Sequence, residues 1–592
     1  MNLLNFIRKN EEGEEKKPRK KRGCLWTIII CAVVYIGMCF AIGAAFGSLF
    51  GSHSATLTEN TIYKLKLEGV LHEQGQETNP FTFMMGDMFG AGSQQTVVGL
   101  DDLLSNIKLA KENDMVKGIC LDGGTLAIAP ANAKTLRDAL LDFKTSGKWV
   151  VAYSEMYTQT NYYIASVADQ IYLNPVGVVD WKGLGGQRMY YKRLLENLGV
   201  EMQIIKVGTF KSAVEPYFRT SMSDADRKQT ERYLFGIWDD FKAAVATSRN
   251  LSVEQLDAYA DEYMTLQDQS KYIEYNLVDS LIYPQQMDSI VKKLVGTEDY
   301  TYMGTNSMAT VERPVNMSDN QIAIVYADGQ ITDDSGDGIV GTKMVKTLNK
   351  VAKEKNVKAV VFRVNSPGGS ANASEQIWHA VTMLQEKGLP VVVSMGDYAA
   401  SGGYYISCAA DYIYAEPTTL TGSIGIFGTV PNINKLRDKI GLDLDGVSTN
   451  KHSALEANMI YKGMNPEELA LMQNMVNRGY DLFTQRCADG RHTTQESIKQ
   501  IAEGRVWLGK DALELGLVDE LGNIDAAIAK AASLAGLTDW KVVSYPEKKD
   551  PFMELIESLG EPDTEEERII TKIKEFASQP RIMALMPEIE IQ

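Results

Sequence analysis

"YYIASVADQIYLNP" at residues 162–175 is written again as "YYISCAADYIYAEP" at residues 404–417. Two further pairs keep the same order. "VKGICLDGG" (116–124) returns within "VKAVVFRVNSPGG" (357–369), and "NLVDSL" (276–281) returns as "GLVDEL" (516–521). Each offset is about 240 residues, so one domain occurs twice. The copies are expected at 51–295 and 321–540. The polar stretch 296–320 joins them, and 541–592 forms a C-terminal tail.

Within each copy, short apolar runs alternate with helical patterns. "QIAIVYADG", "AVVFRVNS" and "PVVVSMGD" have the length and composition of buried strands. "SEQIWHAVTMLQEKG" between them has helical spacing and a terminal glycine. This alternation predicts an α/β domain. Asn465, Pro466 and Glu468 form a capping-box-like start to a long helix in the second copy. Ser223 and Asp226 take the matching positions in the first.

The 592 residues carry a net charge of −17, which argues against nucleic acid as a partner. Five histidines and six cysteines show no metal-ligand spacing and no disulfide framework, so no metal and no cofactor is expected. Near the N-terminus, "KKPRKKR" (16–22) precedes an uncharged run over residues 24–50. Roughly 20 apolar residues suffice to cross a bilayer. The pattern predicts a basic cytoplasmic tail (1–23), one transmembrane anchor (24–50) and the remainder outside the cytoplasm. The acidic "EPDTEEER" (561–568) has the composition of a solvated helix start.

The copies differ where chemistry is expected. In "MGDYAASGGYY" (395–405), Ser401 sits on a small, flexible corner. Its counterpart is Gln159, and Gly402-Gly403 stand opposite Thr160-Asn161. In exchange, "VGTFKSAVEPY" (207–217) holds Lys211 in an otherwise almost uncharged window, opposite His452 when Ser212 is set on Ser453; a one-residue shift is the alternative alignment. A serine hydroxyl needs a base to become a nucleophile, and a lysine serves if burial lowers its pKa. A serine in one copy and a lysine in the other suggest one site split between them. "NSPGG" (365–369) offers backbone N–H groups for an oxyanion hole. The G-x-S-x-G elbow is absent, because Ala399 fills its first glycine position.

"VNSPGGS", "AASGGYYIS", "LTGSIGIFG" and "VGTFKSAVEPY" together resemble signal peptide peptidase A in its long, two-copy bacterial form, over most of residues 55–540. The resemblance implies tandem Clp-protease/crotonase-like α/β domains and a serine endopeptidase that degrades cleaved signal peptides and other hydrophobic peptides. It implies Ser401 as nucleophile, Lys211 as general base and Ser423 as a hydrogen-bond partner of the lysine. Gly369 and Gly402 would form the oxyanion hole, with Gly368 as the other candidate. It also implies a homotetramer in contact with membrane lipid, held by one span in the bacterial inner membrane with its catalytic part periplasmic. One departure is Asp397-Tyr398, where relatives carry small or apolar residues. Competing readings are a crotonase-like acyl-thioester enzyme and a non-catalytic membrane scaffold.

Overall fold

The computed structural model describes residues 55–75, 97–314, 316–336, 338–548 and 582–586. The expected anchor (24–50) and the acidic stretch (561–568) lie outside them. Among the described residues no helix is long and apolar enough to cross a membrane. The described residues divide into two units, 55–56 with 310–312 and the remainder. In the first, the Ala55 N–H donates to Thr310 Oγ1 at 3.4 Å. Both copies of the repeat lie in the second.

The first copy forms a parallel sheet of β1 (Thr61–Lys66), β2 (Val116–Asp122), β3 (Trp149–Tyr157), β4 (Gln170–Val179), β5 (Ser280–Leu281) and β6 (Thr301–Gly304). Their order is β5-β4-β3-β2-β1-β6. The second copy repeats it with β7 (Gln321–Asp328), β8 (Val357–Ser366), β9 (Val391–Ala400), β10 (Tyr412–Ala415), β11 (Glu520–Leu521) and β12 (Lys541–Tyr545). Their order is β11-β10-β9-β8-β7-β12. The edge strands β6 and β12 fall in the stretches expected to be linker and tail. Both are short and flanked by polar residues, which hides them from a search for apolar runs.

Strands covered on both faces read as continuous apolar runs, and successive side chains point to opposite faces. Ala323, Val325 and Ala327 of β7 join one core with Val360, Phe362 and Val364 of β8. The same core takes Ile377 and Leu384 from the helix Ala371–Glu386 and Phe483 from the helix Pro466–Gly490. Ile322, Ile324 and Tyr326 face the other way, with Ala527 and Ala531 of the helix Ile524–Leu534.

The capping box at Asn465 forms on both sides with Glu468. At the matching helix Asp224–Arg249, Ser223 caps the Asp226 N–H, but the reciprocal bond to the Ser223 N–H comes from Glu215 at 3.0 Å. Asp226 instead binds Arg188 at 2.7 Å. Its side chain is one methylene shorter than the glutamate a capping box uses.

A third sheet crosses between the copies. Its order is Ile339–Val340, Ile331–Thr332, Gly368–Ser370, Ile582–Leu585, Phe427–Asn432 and Glu201–Lys206. The last strand belongs to the first copy and pairs antiparallel with Phe427–Asn432, Lys206 opposite Phe427. This pairing carries the segment after Lys206 into the second copy.

Candidate active site

Ser401 stands between the end of β9 and the helix Gly402–Ser407, with φ 56° and ψ −113°. A non-glycine residue there is strained, and the surroundings must hold it. Its N–H donates to Gly422 O at 2.8 Å, and its carbonyl accepts from Tyr405 N at 2.9 Å. The two glycines that follow are required sterically. A Cβ on Gly402 would stand 2.7 Å from Ser374 Oγ, and one on Gly403 2.6 Å from Ser366 O.

Lys211 follows the strand Glu201–Lys206 through Gly208, whose φ is 106°. Its Nζ lies 2.6 Å from Ser401 Oγ, 2.9 Å from Ser423 O and 3.1 Å from Ser423 Oγ. All three side chains are fully buried. Among the described residues no carboxylate is a hydrogen-bond partner of the lysine, and desolvation pushes its pKa well below the ordinary lysine value. The group is therefore biased toward the neutral amine, the form that accepts a proton.

The lysine is held by a segment that no sequence motif above singled out. Phe210 N–H donates to Glu503 O at 2.9 Å, Ser423 N–H to Arg505 O at 2.7 Å, and Gly504 N–H to Ile424 O at 2.8 Å. A Cβ on Gly504 would stand 2.6 Å from Lys211 Cβ. Gln229, from the helix Asp224–Arg249, donates to Phe210 O at 3.1 Å and Ser212 Oγ at 2.9 Å. Its Oε1 accepts from Val506 N–H at 3.1 Å. The first copy's long helix thus ties the lysine loop to the second copy.

Beside Ser401, Gly368 and Gly369 have φ of 104° and 156°, and the Gly402 amide nitrogen is 2.8 Å from where a Gly368 Cβ would be. The Gly368 N–H itself donates to Ser366 Oγ at 3.1 Å. The Gly368 amide is thus engaged within its own loop.

The corresponding corner of the first copy is filled. Gln159 Oε1 accepts from the N–H groups of Lys182 and Gly183 at 3.0 and 2.9 Å. The offset that sets Gln159 on Ser401 sets Trp181 on Ser423, and Trp181 is fully buried. His452 stands 3.5 Å from Glu467 and 3.7 Å from Glu468. Among the described residues no cluster of His, Cys, Asp or Glu fits a metal ion.

Four residues before Ser401, Asp397 enters a buried network between the copies. Its Oδ1 accepts from Asn132 N–H at 2.9 Å. Arg363 donates to Glu73 at 2.8 Å, to Asn132 Oδ1 at 2.8 Å and to Met395 O at 3.0 Å. Burial raises the Asp397 carboxyl to about 7; Glu73 adds to this, while the Asn132 N–H and Arg363 oppose it.

Residues 142–298 and 383–538 match Peptidase family S49, and residues 317–419 match Clp protease. Protease 4 of Salmonella typhi is 36% identical over 545 residues, covering 90% of this chain and 86% of that protein. Protease 4 of Haemophilus influenzae is 34% identical, covering 86% and 85%. The chloroplastic serine protease SPPA of Arabidopsis thaliana is 29% identical, covering 78% and 70%. With two matched segments, one in each copy of a repeated α/β fold, the chain belongs to peptidase family S49, as a serine peptidase of the two-domain signal peptide peptidase A form.

Proposed function

We propose that the chain is a membrane-anchored endopeptidase in which Lys211 activates Ser401 to cleave signal peptides and other apolar peptides. The observation that carries this reading is the 2.6 Å approach of a buried lysine amine to a serine hydroxyl on a strained turn. The neutral amine takes the hydroxyl proton as Ser401 Oγ attacks the scissile carbonyl carbon. The amides of Gly369 and Gly402 receive the negative charge on the carbonyl oxygen. Ser423 O and Oγ accept from the ammonium that forms. Lys211 then returns the proton to the leaving amine, and water releases the acyl group by the same route.

Ile582–Leu585 lies between the strands Gly368–Ser370 and Phe427–Asn432, and an extended substrate would take its place there through backbone bonds. The uncharged run 24–50 supports an anchor in the bacterial inner membrane with the site on the periplasmic side. A homotetramer completes the proposal; light scattering in detergent tests it. The activity itself is tested with the full chain in detergent on fluorogenic apolar peptides. Ser401→Ala is expected to lower kcat by at least about 1000-fold. Undiminished turnover by that variant overturns the reading.

A further inference from the structure

Lys206, at the end of the strand Glu201–Lys206, carries a charge that no carboxylate among the described residues pairs. Its Nζ donates to Lys211 O at 3.4 Å and stands 5.7 Å from the centre of the Phe218 ring. An ammonium has three donors, and among the described residues that long bond is its one hydrogen bond. The acids that act on it, Glu215 and Asp226, are engaged elsewhere. Glu215 accepts from Ser223 N–H at 3.0 Å, and Asp226 pairs with Arg188 at 2.7 Å. The lysine is half-buried. Burial pushes its pKa below the ordinary lysine value, Glu215 opposes this, and Arg219 adds to it. A charge removed from water without a counter-charge is costly.

The strand register turns this cation toward the groove. Lys206 stands opposite Phe427, and Phe427 opposite Met583. Residues opposite one another on neighbouring strands share a face, so these side chains lie on one side of the sheet. There Met583 and Phe427 pack with Val214, bordered by Phe218, Ile204 and Ala213. The Phe218 ring that Lys206 covers is thus a wall of the pocket around Met583. Met583 fills that pocket with an apolar side chain and offers the amine no charge. Glutamate is also unbranched, has as many atoms along its chain, and ends in a carboxylate.

We propose that Lys206 makes this pocket a subsite for an acidic side chain, so that the enzyme favours apolar peptides carrying one glutamate at the residue that takes Met583's place. The proposal rests on the peptidase reading above. The subsite lies on the N-terminal side of the cut. Gly369, which that reading gives the oxyanion, stands opposite Ala584, and Met583 comes one residue earlier. A hydrogen bond between two charged groups is roughly twice as strong as a neutral one, so glutamate outcompetes glutamine there. The rest of the pocket is apolar, so the remainder of the peptide stays apolar too.

The test gives the full chain in detergent a peptide library of mixed sequence, with cut sites read by mass spectrometry. Wild type is expected to enrich glutamate at one position N-terminal to the cut. Two fluorogenic peptides with Glu or Gln at that position should then differ in kcat/KM by about tenfold in favour of Glu. That ratio should fall to about 1 in Lys206→Met, which keeps the stem and removes the charge, and survive in Lys206→Arg. Each ratio is taken within one variant, so a general loss through the bond to Lys211 O cancels. No acidic enrichment N-terminal to the cut, or the same ratio in wild type and Lys206→Met, overturns the subsite and leaves the peptidase reading standing. A preference that vanishes when the peptides are C-terminally amidated also overturns it, by assigning the carboxylate to the chain end. A wild type that cuts no peptide overturns both.

Discussion

Lys211 and Ser401 stand 190 residues apart in sequence, in different copies of one fold, with Nζ and Oγ 2.6 Å apart. The contact depends on the antiparallel pairing of Glu201–Lys206 with Phe427–Asn432. Neither copy holds both groups, so the pair exists only across the two copies.

The pH dependence follows from the burial of Lys211. Desolvation lowers its pKa, and only the neutral amine can take the serine proton. Activity is therefore lost as pH falls through the lysine's folded pKa. On that limb kcat/KM should fall about tenfold per pH unit, from a plateau that begins well below pH ~10.4. Lys211→Arg, charged at every accessible pH, should be inactive throughout. A wild-type profile that rises only near pH 10 would sink this account.

Gly504→Ala should disable the enzyme without unfolding it. Its Cβ would meet Lys211 Cβ at 2.6 Å, at a φ of +75° that L side chains rarely adopt. Displacement of the amine by about an ångström costs on the order of 100-fold in rate. Gly185→Ala, with nothing within 4 Å of the new Cβ, is the matched control. Equal activity of the two variants, with unchanged circular dichroism, would contradict the role given to the 503–505 segment.

Asp397 makes the fold's stability depend on pH. Its carboxyl is raised to about 7 in the folded chain, against roughly 3.9 when unfolded. The folded state thus holds an extra proton between those values. The stabilising contribution is complete below pH ~4 and is lost as pH rises through about 7. Asp397→Asn keeps an oxygen for the Asn132 N–H and removes the titration. Its melting temperature should gain on wild type by a few degrees between pH 5 and pH 8. The same difference at both pH values would show that Asp397 does not titrate in this range.

The repeat makes the fold legible in the sequence. Buried strands such as β7 and β8 carry continuous apolar runs, and two copies of the same pattern reinforce each other. Ser401 and Lys211 were visible because each is missing from the other copy. The supporting parts were not. Gly504 acts through its lack of a side chain beside a residue nearly 300 positions earlier, which no local pattern records. Gln229 looks like any polar residue of an amphipathic helix. The strand Ile582–Leu585 is too short to announce itself, since its partners at Gly369 and Phe427 lie more than 150 residues away. Asp397 stood out only as a departure from relatives, and its role appears once Asn132, Glu73 and Arg363 are seen around it.

The central claim is that the base for Ser401 comes from the first copy. The most direct measurement is kcat/KM of Lys211→Met on an apolar fluorogenic peptide, read beside its melting temperature and beside His452→Ala. Methionine keeps the length and apolar stem of the lysine and removes the amine. The account predicts a loss of at least about 100-fold with a melting temperature at or above wild type, because a desolvated amine leaves the core, and full activity for His452→Ala. A folded Lys211→Met that turns over peptide at the wild-type rate would contradict it.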